Sequence, residues 1–115
     1  MRRGEIRFAD LEPVRGSEAN ERRPVVIVSN EGANSRAATL GRGVVTVVPV
    51  TSNVARILPF QTLLEHGVTG LPRASKAQAE QVRSLDVRRL GPRVGQLPPA
   101  AIAKLEDALR LHLGL

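Results

Sequence analysis

Pro24-Val25-Val26-Ile27-Val28 is a proline followed by an unbroken run of β-branched residues. Such side chains lose rotamer freedom in a helix but pack well on a pleated surface. A short apolar run with no polar alternation predicts a strand covered on both faces. A strand of that kind belongs in the middle of a sheet, so the rest of the chain is expected to build neighbours around it.

Towards the N-terminus, Glu5-Ile6-Arg7-Phe8-Ala9 alternates polar and apolar residues. The alternation predicts a half-buried first strand starting at Gly4, with Ile6 and Phe8 on the inner face. Between these strands, the stretch from Leu11 to Arg22 carries Pro13, Gly16, Ser17 and Asn20 and has no apolar period. It reads as a long exposed loop, and loops of about this length without structure of their own are commonly functional.

Towards the C-terminus, the small and polar residues of Glu31 to Leu40 predict a loop with a short helix. Gly43 to Thr51 is a second valine-rich strand, in which Pro49 lacks an amide donor and is expected at a bulge, an edge or the strand's end. Phe60 to Leu64 predicts a further strand, closed by the turn signals Gly67, Gly70 and Pro72. Ala74 to Leu85 reads as one or two short strands with Ala77, Ala79 and Val82 inward, and Arg93 to Leu97 as a last extended piece. Many short strands with short turns argue for a compact barrel.

Pro98-Pro99 opens a helix, because proline suits the first turn, where its missing donor is not needed. Ile102, Leu105, Leu109 and Leu113 recur at helical spacing as an apolar stripe, Glu106 and Arg110 are placed to pair at i, i+4, and Gly114 is the expected stop.

The chain has 115 residues, enough for one core, so residues 1–115 are expected to form a single domain. The Met1-Arg2-Arg3 start is followed by charged residues rather than an apolar segment, and no run approaches the ~20 apolar residues of a membrane span. A cytoplasmic protein without a membrane segment is expected. The absence of cysteine excludes disulfides, thiolate metal sites and thiol nucleophiles. With two histidines in no recognisable pair, neither a metal site nor any other cofactor is expected, and a mechanism built on paired histidines is disfavoured. The net charge of +6 makes a polyanionic partner worth testing, although 15 Arg against 2 Lys is equally what a biased base composition produces. Phe8 and Phe60 are the only aromatic residues, which limits any stacking platform for bases.

Taken in order, Gly4-Glu5-Ile6, Gly16-Ser17-Glu18, Arg23-Pro24-Val25-Val26, Pro49-Val50-Thr51-Ser52 and Gln81-Val82-Arg83-Ser84-Leu85-Asp86 span nearly the whole chain. Their order and spacing resemble the MazF/PemK family of mRNA-cutting toxins. The resemblance implies a mainly β fold with a C-terminal helix, a small SH3-like barrel shared with the gyrase-poison toxins of CcdB type. It implies a homodimer, a cognate antitoxin, and sequence-specific, metal-independent cleavage of single-stranded mRNA. The alternative is a non-catalytic toxin of the same fold that binds a protein target or RNA. Two departures stand out. Many relatives carry an aromatic pair where this chain has Arg7-Phe8, and the gyrase poisons need a terminal tryptophan where this chain ends Leu113-Gly114-Leu115.

Metal-free RNA cleavage uses the neighbouring 2′-hydroxyl as nucleophile. The protein must help remove its proton, stabilise the crowded phosphorus and protonate the leaving 5′-oxygen. Arg23 offers a planar fork that matches two phosphate oxygens and keeps its charge at ordinary pH, which also makes it a poor base. The resemblance places the family's catalytic arginine there; otherwise Arg23 is a solvated residue flanking a buried strand. Thr51, at the end of a valine strand, can bond a phosphate oxygen without bringing charge, and the resemblance puts a catalytic or phosphate-binding threonine at this position. An ordinary turn-capping threonine is the other reading. Glu18 can accept the 2′-hydroxyl proton if its loop folds over the site, or it simply faces solvent. Ser17 and Ser52, with Gln81 and Arg83 from the later motif, are the candidates for RNA contacts. Arg83, Arg88, Arg89 and Arg93 either track a backbone or form a solvated face balanced by Asp86.

Overall fold

A computed structural model describes residues 1–11 and 22–115. The elements are β1 (Glu5–Asp10), β2 (Arg22–Ile27), α1 (Glu31–Leu40), β3 (Val44–Thr51), β4 (Gln61–Leu64), β5 (Ser75–Gln78), β6 (Arg83–Asp86), β7 (Leu90–Gln96) and α2 (Pro99–Leu113). Short 3-10 turns at Ala79–Gln81 and Val87–Arg89 join β5 to β6 and β6 to β7. The expected loop from Leu11 to Arg22 falls mostly on residues 12–21, outside the described residues, and Arg22 itself already belongs to β2.

All pairings are antiparallel, in the order β4-β5-β3-β2-β1-β7, with β6 also on β3. The mainly β fold with a C-terminal helix is as expected, but the barrel is open. Among the described residues no ladder joins β4 to β7, and α2 packs against β4 and the Ala79–Gln81 turn instead.

Both faces of β2 are covered, as its unbroken run required. Val26 joins Ile6, Val48, Val50, Leu64, Leu97 and Leu105 under α2. Val25 and Ile27 turn the other way and join Ala9, Val45, Val47 and Leu85 with Ala37 of α1. Burying one such aliphatic side chain contributes about 1.5–3 kcal/mol, so a charge at Val26 is expected to unfold the protein.

Pro49 sits inside β3 rather than at an end or bulge, and the ladder explains how. Val28 N donates to Thr46 O at 2.9 Å, so hydrogen-bonded pairs fall on Val28 and Val26 and the Val25–Pro49 pair is of the other kind. The Pro49 nitrogen therefore points away from β2. On that side β3 leaves β6 at Val47 and meets β5 only at Val50, so no amide is required of it.

Gly4 precedes the first strand rather than starting it. Its φ of 87°, open to glycine, lets its N–H reach Ile27 O and its carbonyl accept from Leu97 N. The segment Glu31–Leu40 is a full ten-residue helix, longer than the expected short one. Asn30 caps it by accepting from Ala33 N at 2.8 Å, and buried Asn34 bonds the Ser29 carbonyl and hydroxyl. A polar anchor of that kind leaves no apolar period to read.

In α2 the stripe holds for Ile102, Leu105 and Leu109, and Ala108 is buried beside them. Leu113, expected inward, is exposed together with Leu111 and Leu115, because the last helical turn projects beyond the sheet. The expected Glu106–Arg110 pair gives way to two others. Arg3 takes Glu106 at 2.6 Å, and Arg110 bonds Asp107 one turn back at 2.9 Å.

Candidate active site

The candidate site lies where β1 and β3 end and β2 begins. Arg23 is half-buried and pairs with Ala9 across the β1–β2 ladder. Across β2 and β3 the ladder runs from Ile27–Val47 to Val25–Pro49, and Arg23 and Thr51 lie two residues beyond its last pair. By strand alternation Arg23 follows the face of Val25 and Thr51 that of Pro49, so the two share one face.

Thr51 is half-buried at the last position of β3, and its Oγ1 accepts from Asn53 N at 3.2 Å. That contact uses a lone pair and leaves the hydroxyl proton for an outside oxygen. On the other side Thr51 pairs with Lys76 of β5. Lys76 is buried, and its Nζ donates to Arg56 O at 2.7 Å, holding the segment after β3 against the sheet. Sequence reasoning missed Lys76. The signal was available: it is one of two lysines in a chain with fifteen arginines.

The other expected site residues are dispersed. Ser17 and Glu18 lie outside the described residues. Arg83 is exposed opposite Val47, on Thr51's face but four residues back, about 13 Å along the strand. Gln81 is exposed in the turn before β6. Ser52, a candidate RNA contact, lies just past the end of β3 and lines a cavity with Phe8, Pro24 and Arg73.

The arginine cluster is partly neutralised. Asp86 receives Arg88 through Nη2 at 2.7 Å and Nε at 3.0 Å, as well as its backbone N at 2.9 Å. The side-chain hydrogen bonds of Arg88 hold the Asp86 carboxyl at about 2, below its ordinary value. Buried Glu5 accepts from Arg7 at 3.1 Å and from Arg93 at 3.0 Å. His112 packs against Phe60 with ring centroids 6.0 Å apart, a structural role. Among the described residues no three His, Asp or Glu side chains gather as a metal site, and no helix is long and apolar enough to cross a membrane.

The profile of the PemK-like, MazF-like toxins of type II toxin-antitoxin systems matches residues 2–113. The chain belongs to this family. Among PemK/MazF-like proteins, it is 57% identical to endoribonuclease MazF9 of Mycobacterium tuberculosis over 115 residues, covering all of this chain and 98% of the relative. It is 35% identical to endoribonuclease MazF of Staphylococcus saprophyticus, covering all of this chain and 92% of that one. A mycobacterial endoribonuclease solved in complex with its cognate antitoxin superposes with a TM-score of 0.78 at 27% identity, over all of this chain and 96% of that one. Crystalline MazF of Deinococcus radiodurans gives 0.76 at 26% identity, over all of this chain and 97% of its own. The overall fold is thus similar to that of these solved MazF-type structures.

Proposed function

We propose that this chain is the endoribonuclease toxin of a toxin-antitoxin pair, cutting single-stranded mRNA by 2′-hydroxyl attack. What supports the reading is that Arg23 and Thr51 share a face just beyond the last β2–β3 pair, in a chain 57% identical over its whole length to an endoribonuclease. The 2′-oxygen bonds phosphorus while the bond to the 5′-oxygen breaks. Arg23 holds two non-bridging oxygens as charge builds on them, and the Thr51 hydroxyl donates to one of them. Glu18 takes the 2′-hydroxyl proton and Arg23 gives a proton to the leaving 5′-oxygen, regaining it from solvent, with Ser17, Ser52, Gln81 and Arg83 along the RNA. One general base and one well-aimed donor supply ~10²–10⁴ and ~10²–10³ respectively, enough for a ribonuclease that needs no cofactor.

Residues 1–115 act as one domain in a cytoplasmic homodimer, with RNA across the shared interface and a cognate antitoxin competing for it. Exposed Leu40 and Val44 line one surface hollow and exposed Leu63 and Leu111 another, and apolar patches of this kind support an interface with a second copy. The test is a gel of single-stranded RNA incubated with the purified protein in chelator. Discrete cleavage products are expected; intact RNA bound by a folded protein would mark a non-catalytic toxin.

A further inference from the structure

β3 and β4 both pair antiparallel with β5, so they run parallel to one another and residues 52–60 must cross over β5 to join them. A parallel connection is ordinarily built on a helix. This one carries neither helix nor strand, and side chains set its course. At its start Asn53 N donates to Thr51 Oγ1 at 3.2 Å, and Asn53 Oδ1 accepts from Ala55 N at 3.3 Å. At its middle Arg56 O accepts from Lys76 Nζ. At its end Leu58 N donates to Gln61 Oε1 at 2.9 Å, and Leu58 O accepts from Gln61 N at 2.9 Å.

Gln61 is buried at the first position of β4. Its Nε2 donates to Glu80 Oε2 at 2.7 Å. A carboxylate only accepts and a backbone N–H only donates, so Glu80 on one side and Leu58 on the other leave the Gln61 amide one orientation. The other oxygen of Glu80 is buried with no hydrogen-bond partner among the described residues, which commits the carboxylate to Gln61. Gln61 pairs with Gln78 across β4 and β5, and Thr51 pairs with Lys76 across β3 and β5. Both fastenings therefore stand on β5, and together they hold residues 52–60 relative to the strand end at Thr51.

We propose that Gln61 is a positioning residue for RNA cleavage, fixing residues 52–60 and, through Asn53, the direction in which the Thr51 hydroxyl donates. The inference rests on the endoribonuclease reading above. The Asn53 N–H occupies one lone pair of Thr51 Oγ1, so the hydroxyl proton points away from Asn53. A displaced Asn53 frees that rotor, and misplacing a reacting group by about 1 Å costs on the order of 10²-fold in rate. Buried Gln61 acts only through the segment it fastens.

The test is steady-state cleavage of a short single-stranded RNA with a mapped site, with folding followed by thermal melts. Gln61→Met keeps the bulk and loses both side-chain bonds. Gln61→Glu still accepts from Leu58 N but sets a second carboxylate against Glu80. Both should lower kcat by about tenfold or more, with KM within about twofold of the parent. Adding Glu80→Gln to Gln61→Glu restores the relay with the two roles exchanged, and kcat should recover most of the loss. Parental kcat in the folded single variants, a loss confined to KM, or a paired substitution no faster than Gln61→Glu would overturn the proposal. If Gln61→Glu does not fold, the kcat and KM of Gln61→Met decide by the same criteria. A parent that leaves RNA intact in chelator defeats the endoribonuclease reading, and the bracket is then judged by amide hydrogen exchange at Asn53. Faster exchange in Gln61→Met than in the parent supports it; unchanged exchange removes it.

Discussion

Thr51 and Lys76 stand directly opposite one another across β3 and β5, and the Lys76 ammonium reaches past the strand to the Arg56 carbonyl at 2.7 Å. The pair couples the proposed phosphate donor to the segment that follows it. A buried ammonium is tolerated here because a carbonyl receives it and because β5 is short, leaving the side chain a path to the loop.

Lys76→Met keeps the length and apolar stem of the side chain but deletes the bond. Hydrogen bonds to charged groups are worth about 1.5–3 kcal/mol, so a urea melt should show a loss of that order. Cleavage should fall as well, because the turn after Thr51 loses its tether. A variant as stable as the parent would show that the bond contributes nothing net.

Thr51→Ser and Thr51→Val separate the hydroxyl from the methyl group. Serine keeps a donor and should retain cleavage to within several-fold. Valine is matched in shape but lacks the donor, and the loss should be on the order of 10²-fold in rate with RNA affinity little changed. Single-turnover rates with excess protein distinguish the two, and a valine variant that cuts like the parent would take Thr51 out of the chemistry.

Much of this was legible in the sequence because burial leaves a period. Val25-Val26-Ile27 announced a central strand, and Ile102, Leu105 and Leu109 announced the helix face. What was not legible depends on partners far along the chain. Asn34 makes α1 possible by bonding Ser29, and Glu106 turns to Arg3 rather than Arg110. Arg23 and Thr51 were expected as site residues; that they share a face follows from the β2–β3 register, which no local pattern prints. Phe8, read as an inward strand residue, also lines the cavity beside Ser52, which lies just past the end of β3.

Asp86 gives a pH signature. Its folded value of about 2 lies below the ordinary 3.8 because Arg88 bonds the charged form. The stabilisation is therefore fully present above pH 4 and is lost as pH falls towards 2. Carboxyl chemical shifts across an acid titration should place its midpoint near 2 in the parent and back in the usual carboxylate range in Arg88→Ala. A midpoint unmoved by that substitution would show that the pair does not persist in solution.

Arg23 decides the mechanism, and two substitutions separate its charge from its geometry. Arg23→Lys keeps the charge and loses the planar fork; Arg23→Ala loses both. If the fork must hold two non-bridging oxygens, Arg23→Lys should cost on the order of 10²-fold or more in cleavage while RNA affinity weakens only slightly. Arg23→Ala should be at least as inactive, and the salt dependence of its binding should flatten by about one phosphate contact. Both should melt near the parent. Arg23 pairs with Ala9 at the open end of the sheet, whereas Val25 and Ile27 carry the core on that face. A folded Arg23→Ala protein that cuts RNA at the parental rate would leave the chemistry to Thr51 and Glu18, and a 2′-hydroxyl attack without a cation at phosphorus would then need a different donor.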